Sequence, residues 1–169
     1  MAPHPNHAAR AFVAVGASID PIPHIQRGLR RLHASAPIRA ASRFYRTPPL
    51  GPDGKVRAGD PEFVNGMVQV ESRLAAVPLL RLLHRIEAAE GRTRSDDRHA
   101  PRTLDLDLVV HGGRVLDGDL PHRRHLAACL LELEPAFEIM PGTPLCDPGG
   151  LAMAPVDLGL DGILAGAVI

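Results

Sequence analysis

The stretch APRTLDLDLVV, residues 100–110, decides how the chain reads. Leu104, Leu106 and Leu108 alternate with Asp105 and Asp107. A period of two belongs to a strand with one face buried. The leucines then pack on helices, and the two carboxylates lie on the opposite face, roughly 6.5–7 Å apart by strand rise. Like charges this close are unfavourable unless something positive sits between them. Mg²⁺ is a natural candidate, because it takes one or two carboxylates and otherwise water and phosphate oxygens. Two such ions bridged by the pair would suit phosphoryl-type transfer. The competing reading is a solvated strand face neutralised by a neighbouring arginine, and for a bare Asp-x-Asp it is the commoner one. The preceding loop shifts that balance. Arg92, Arg94, Arg98 and Arg102 fall just before Asp105, and such a loop suits a metal–polyphosphate ligand that it can fold over. No Walker-type phosphate loop occurs, so a nucleotide would bind without one.

Outward from this strand, AFVAVGAS (11–18) reads as a buried strand and turn. Asp20 is placed to cap a helix with Pro21 at its first position, and Ile22, Ile25, Leu29 and Leu32 carry it to about His33. Residues 37–47 read as a second strand. Residues 48–61, rich in Pro and Gly, read as a long loop of the functional or disordered kind, with Lys55 and Arg57 as solvated charges. Residues 63–74 form a third strand. Pro78 opens a second helix striped by Leu79, Leu82, Leu83 and Ile86, and Gly91 closes it. The strand at 103–112 follows, then a small hairpin or turn at 112–121 and a third helix at 122–134 stopped by Pro135. The order β-α-β-β-α-β predicts an α+β, ferredoxin-like sandwich with extra C-terminal helical elements, one sheet face on two helices and the other toward solvent or a ligand. Residues 1–10 and the tail from Pro141 carry little pattern, although Ala165, Val168 and Ile169 suggest a short packed end.

Composition bounds the function classes. The 169 residues fit one domain, with 45% hydrophobic and 22% charged content and zero formal net charge. Neutrality argues against a protein that coats nucleic acid or an anionic membrane. All basic residues except Lys55 are arginine, the side chain suited to bidentate contacts with phosphate or carboxylate. Cys129 and Cys146 have no zinc or redox spacing and read as free thiols in a reducing compartment. No apolar run reaches membrane-spanning length and no secretory pattern opens the chain, so a cytoplasmic location is expected. Nine histidines offer no zinc set, the pair His122 and His125 aside.

The second informative region is FYRTPPLGP (44–52) followed by EFVN (62–65). Pro48 and Pro49 stiffen the chain after a strand, so backbone N–H and C=O groups can meet a heterocycle's edge. Asn65 supplies a donor and an acceptor from one amide. Phe63 can stack on a flat ligand. Phe63 in the core and Asn65 as a bulge residue beside Gly66 are the plainer alternatives.

SRFYRTPPLGP, FVN, RIEAAEGRTR, APRTLDLDLVVHG and LPH occur in an order that resembles the 6-hydroxymethyl-7,8-dihydropterin pyrophosphokinase family from about Phe12 to Ile139. The resemblance implies transfer of pyrophosphate from MgATP to the pterin hydroxymethyl group, releasing AMP, in folate synthesis. It implies Asp105 and Asp107 as ligands of two Mg²⁺ ions, and Arg92 and Arg102 as groups shaping the triphosphate site. Arg94 and Arg98 would close over the site, with Glu87, Leu108 and His122 near the nucleotide. Thr47, Pro49, Leu50 and Asn65 would read the pterin edge while Phe63 stacks on the ring. The implied partners are ATP and a hydroxymethyl pterin, with no nucleic acid or membrane, and the implied state is a monomer.

The chain departs from the family pattern in places. Ser18 stands where the family has an amide, and His99 and Ala100 stand where a Trp is usual. Counting from His122 puts Cys129 and Leu131 where an Arg and an aromatic residue belong, so Leu131 would give the pterin an aliphatic second face. Arg123 and Arg124 are the nearby arginines that could compensate. These changes motivate a second reading, a divergent relative that binds a pterin or nucleotide with low or altered activity. A ferredoxin-like RNA-binding module is a third, disfavoured by one Tyr, four Phe and no Trp.

Overall fold

A computed structural model describes residues 8–97, 99–146, 149 and 153–163. Its elements are β1 (Ala9–Ala17), α1 (Pro21–Ser35), β2 (Ile38–Ala41), β3 (Phe44–Thr47), β4 (Phe63–Ser72), α2 (Ala76–Ala89), β5 (Asp105–His111), β6 (Arg114–Val115), α3 (Arg124–Leu133), β7 (Glu138–Met140), β8 (Thr143–Pro144) and β9 (Ala154–Val156). The main sheet runs β6-β5-β1-β4-β3-β9, with β2 also on β4, while β7 and β8 form a separate pair. All its pairings are antiparallel. From Ala11 onward β1 is apolar, because it has a strand on each side and a core on each face.

The leucines at and just before β5 pack as the alternation predicts. Leu104, Leu106 and Leu108 join Val13 and Val15 of β1 beneath Ile25, Leu29 and Leu32 of α1 and Leu79, Leu83 and Ile86 of α2. A Cβ on Gly28 would lie 2.5 Å from Leu104 Cδ2, so α1 crosses the sheet too closely for any larger residue there. The other face is not open along its whole length. α3 covers much of it, packing Leu126, Ala127, Cys129 and Leu130 on Phe12, Met67 and Val110. A bulge in the β1–β5 register at Phe12/Val13 breaks the alternation, so Val109 and Val110 both enter this second core. Among the described residues, the end of the face where α3 begins is left for a site.

Several local expectations are corrected. Asp20 precedes α1 but makes no side-chain cap; its backbone is left-handed, with φ 40°. α2 starts at Ala76, so Pro78 is its third residue, still within the first turn where a missing N–H costs nothing. The strand read over 37–47 is two strands. Ser42 interrupts it: its Oγ accepts from Met67 N at 2.9 Å and donates to the Arg43 carbonyl at 2.8 Å. The tail is not merely irregular. β9 pairs with β3, and Leu158, Leu160 and Ile163 are buried in the helix-side core. Ala165, Val168 and Ile169 lie outside the described residues. The turn at Gly112–Gly113, both with positive φ, closes the β5–β6 hairpin as expected.

Candidate active site

Strand register builds the floor of the site. Tyr45 pairs with Asn65, Asn65 with Gly16, and Gly16 with Asp105. This row crosses four strands; its Tyr45 end lies buried under α3, and the rest reaches the part of the face that α3 leaves uncovered at its start. A Cβ on Gly16 would fall 2.7 Å from Asn65 Oδ1, so glycine makes room for the amide. The Asn65 amide donates to Thr47 Oγ1 at 2.6 Å, which fixes its orientation from the neighbouring strand.

Arginines surround the carboxylate pair. Arg102 donates to Asp105 Oδ2 at 2.7 Å. Arg92 donates to both Asp105 and Glu87. Arg123 lies 3.5 Å from Asp107 and 2.9 Å from Asp117. Each aspartate is thus neutralised by guanidinium, the alternative that strand chemistry allowed. Burial pushes the Asp107 carboxyl up, Asp105 adds to this, and Arg123 and Arg92 oppose it. The Asp107 side chain is 46% exposed to the cleft, so water there moderates the effect. Glu87 is buried behind the pair. Its Oε1 accepts from Leu106 N at 2.8 Å, while burial raises its proton affinity against that bond and Arg92.

Two adjoining cavities open over this floor. One, of about 650 Å³, is walled by Arg92, Arg94, Ser95 and Arg102 and reaches Asp105 and Asp107. The other, of about 570 Å³, is more apolar and holds Thr47, Leu50, Phe63, Asn65 and Met153. His99, Arg102, Asp105, Arg123 and His125 line both. The Arg102 guanidinium carbon sits 5.9 Å from the centre of the Phe63 ring, joining the charged wall to the aromatic one. Burial, helped by Arg123, pushes His125 down to about 4, so it stays neutral at ordinary pH. The two loops above are tied together: Arg57 bridges Asp60 at 2.9 Å in its own loop and Asp97 at 2.8 Å in the arginine loop. Arg57 is therefore no solvated charge, whereas Lys55 is well exposed.

The sequence-predicted residues divide clearly, with departures: His122, expected near the nucleotide, lines the apolar cavity, and Glu87, expected there too, is buried and lines neither cavity. Arg92, Arg94, Arg102, Asp105 and Asp107 gather in the first cavity; Thr47, Leu50, Phe63, Asn65 and His122 line the second. Arg98 lies outside the described residues. Pro49 contributes its carbonyl to Arg57 N at 2.9 Å and shapes the loop. Leu108 is buried in the helix-side core instead of facing the cleft. Leu131 packs against the second core, and Cys129 is fully buried there, its thiol pushed up to about 11 by burial. Neither lines a cavity; the third helix meets the site through its first residues. Ser18 has a different use: its Oγ accepts from Arg102 N at 3.1 Å and its N–H donates to the Arg102 carbonyl at 2.9 Å, anchoring the end of the arginine loop. Asp117, Asp119 and Met153 were missed, and His125 was singled out only as a possible metal partner of His122. No spacing rule connects them, because they converge from a turn, a helix start and the C-terminal segment.

Charge of this kind serves enzymes that move phosphoryl groups, whose transition states gather negative charge on oxygens that arginine can reach. Residues 12–141 match the model of 7,8-dihydro-6-hydroxymethylpterin-pyrophosphokinase (HPPK). The chain belongs to that family. It is 37% identical to the 2-amino-4-hydroxy-6-hydroxymethyldihydropteridine pyrophosphokinase of Pseudomonas aeruginosa over 82% of this chain and 85% of that one. It is 30% identical to the Haemophilus influenzae enzyme of the same name, over 66% and 70%. In structure it resembles the Plasmodium falciparum HPPK-DHPS triple mutant at TM-score 0.60 and 11% identity, a likeness of fold that covers 83% of this chain and 44% of that longer one. The chain is an HPPK pyrophosphokinase of folate biosynthesis, and family membership implies ATP and a pterin as its substrates.

Proposed function

We propose that the two cavities are the two substrate subsites, with the ATP phosphates among the arginines and the pterin in the apolar cavity. What supports this most is the wall they share, Arg102, Asp105 and Arg123, where a group leaving one cavity would enter the other. In this reading the pterin hydroxymethyl oxygen attacks the β-phosphorus of ATP. The bond from that phosphorus to the α,β-bridging oxygen breaks, AMP departs with that oxygen, and the hydroxyl proton is released. Arg92 and Arg102 hold the triphosphate and Arg94 covers it, a role that the family pattern implies for Arg98 as well. Asn65, oriented by Thr47, hydrogen-bonds the pterin edge beside Leu50 and His122, and Phe63 stacks on the ring. Positioning of this sort supplies most of the rate in phosphoryl-type transfer.

Asp105 and Asp107 would hold Mg²⁺, which when bound neutralises phosphate charge and polarises the phosphoryl oxygens. The donor set fits that ion in kind: Asp105 and Asp107 are hard carboxylates that line the arginine-walled cavity. The rest of the shell would come from water and phosphate, as Mg²⁺ prefers. A second ion, as the family pattern implies, belongs to the same proposal. So do a ferredoxin-like reading of the β1–β5 core, a single domain over residues 1–169, and a cytoplasmic monomer. No helix among the described residues is long and apolar enough to cross a membrane.

The test follows AMP released from ATP in the presence of 6-hydroxymethyl-7,8-dihydropterin. Wild type should form AMP only with the pterin present, and Asp105→Ala or Asp107→Ala should cut the rate at least about a hundredfold, the scale of losing a main electrostatic stabiliser. AMP formation that survives both substitutions would remove the carboxylate pair from the reaction.

A further inference from the structure

We propose that Met153, from the C-terminal segment beyond the family match, forms the second face of the pterin subsite. The inference rests on reading the apolar cavity as that subsite. A flat heterocycle has two faces to shield from water, and Phe63 can shield one. On the side of the cavity made by α3 and the chain just before it, the lining residues are His122, Arg123, Arg124 and His125. All four are polar. The apolar residues of α3 turn into the second core instead. Met153 is the apolar side chain that reaches the cavity from outside both the strands and the Pro48–Leu50 loop.

Its placement is fixed from several directions. Ala154, the next residue, pairs with Arg46 in the β3–β9 ladder, so the backbone beside Met153 is part of the main sheet. On the other side, Arg124 donates to the Gly149 carbonyl at 2.7 Å, holding the approaching chain against the start of α3. The Met153 side chain itself packs on the second core. It is therefore half core and half cavity wall. A thioether suits such a place, since it is polarisable, apolar and favourable against an aromatic ring. Residue 153 lies past residue 141, where the family match ends, so pattern-based reading of the third helix would not find it.

The test is calorimetric titration of the pterin into the full chain, preloaded with Mg²⁺ and a non-hydrolysable ATP analogue. Met153→Ala should weaken pterin binding about three- to tenfold, the span of one lost ring contact, and leave analogue affinity unchanged. Met153→Phe should shift pterin affinity at least about threefold in either direction, because the new ring meets the ligand. Phe63→Ala is the control for the subsite. If Phe63→Ala weakens the pterin and both Met153 variants match wild type, the proposal fails and the subsite reading stands. If wild type binds no pterin, or Phe63→Ala and both Met153 variants bind as wild type does, the subsite reading fails with it. Should Met153→Ala lose its folded far-UV spectrum, Met153→Phe decides alone, and wild-type affinity there overturns the proposal.

Discussion

Gly16 shows how much of the site depends on single atoms. It stands between Asn65 and Asp105 in the register row, and a methyl group there would press on the Asn65 amide. Gly16→Ala should raise the KM for the pterin about fivefold or more, the scale of one displaced hydrogen bond, with the KM for ATP unchanged. Steady-state kinetics with each substrate varied in turn would show it. Ser18 invites a related experiment. Ser18→Ala removes the buried acceptor of the Arg102 N–H, which should cost about 1–3 kcal/mol of unfolding free energy in a urea titration. At this scale the sequence was legible where chemistry repeats locally. Asp105 and Asp107 announce themselves because alternation puts both on one face. Asp117 and Arg123 do not, since their meeting depends on how the 112–123 segment turns back over β5.

Elements are joined by a few buried polar contacts. Glu90, just past α2, is nearly fully buried and bonded to Arg27 at 2.8 Å, Arg31 at 3.1 Å and His24 at 3.1 Å, all on α1. Burial alone would raise its pKa, but the bonds to Arg27, His24 and Arg31 outweigh it and hold the carboxyl below its ordinary 4.5. A depressed carboxylate contributes stability above its unfolded value and loses it as the pH falls through the folded one. Glu90→Gln should therefore lower stability at neutral pH by about 1–3 kcal/mol and remove the part of the acid unfolding that begins below 4.5. Tyr45 runs the opposite way. It donates to Glu132 of α3, and burial followed by that bond pushes it up from 10 to about 12. Its contribution is complete below 10 and fades as the pH rises through about 12, so Tyr45→Phe should flatten the alkaline limb of the stability profile. These pairings explain what the pattern could not give. The helices were readable from their apolar stripes, yet the break at Ser42 was not, because an interruption held by one hydroxyl leaves the surrounding composition strand-like.

The whole molecule is a sheet packed on both faces, and its final strand is structural. Val156 packs on the helix-side core, and Leu158, Leu160 and Ile163 are buried in it. Ending the chain after residue 149 would strip these side chains, at about 1.5–3 kcal/mol each, and expose the edge of β3. Such a truncation should fail to show a cooperative thermal transition by circular dichroism. The tail escaped sequence analysis because its strands are two or three residues long and its buried positions fall at no regular period. The open-face expectation failed for a similar reason. α3 was recognised as a helix, but nothing in its sequence says which side of the sheet it will cover.

The bridge from Arg57 to Asp97 makes the two mouths of the cleft mechanically one. If ATP binds among the arginines as proposed, the ordering of that loop should carry over to the Pro-rich loop, and pterin should then bind more tightly in the presence of nucleotide. Arg57→Ala would uncouple them: each ligand should bind alone as before, while any strengthening of pterin binding by nucleotide, measured by calorimetry, should shrink. Added salt, by loosening an exposed ion pair, should imitate the substitution in part.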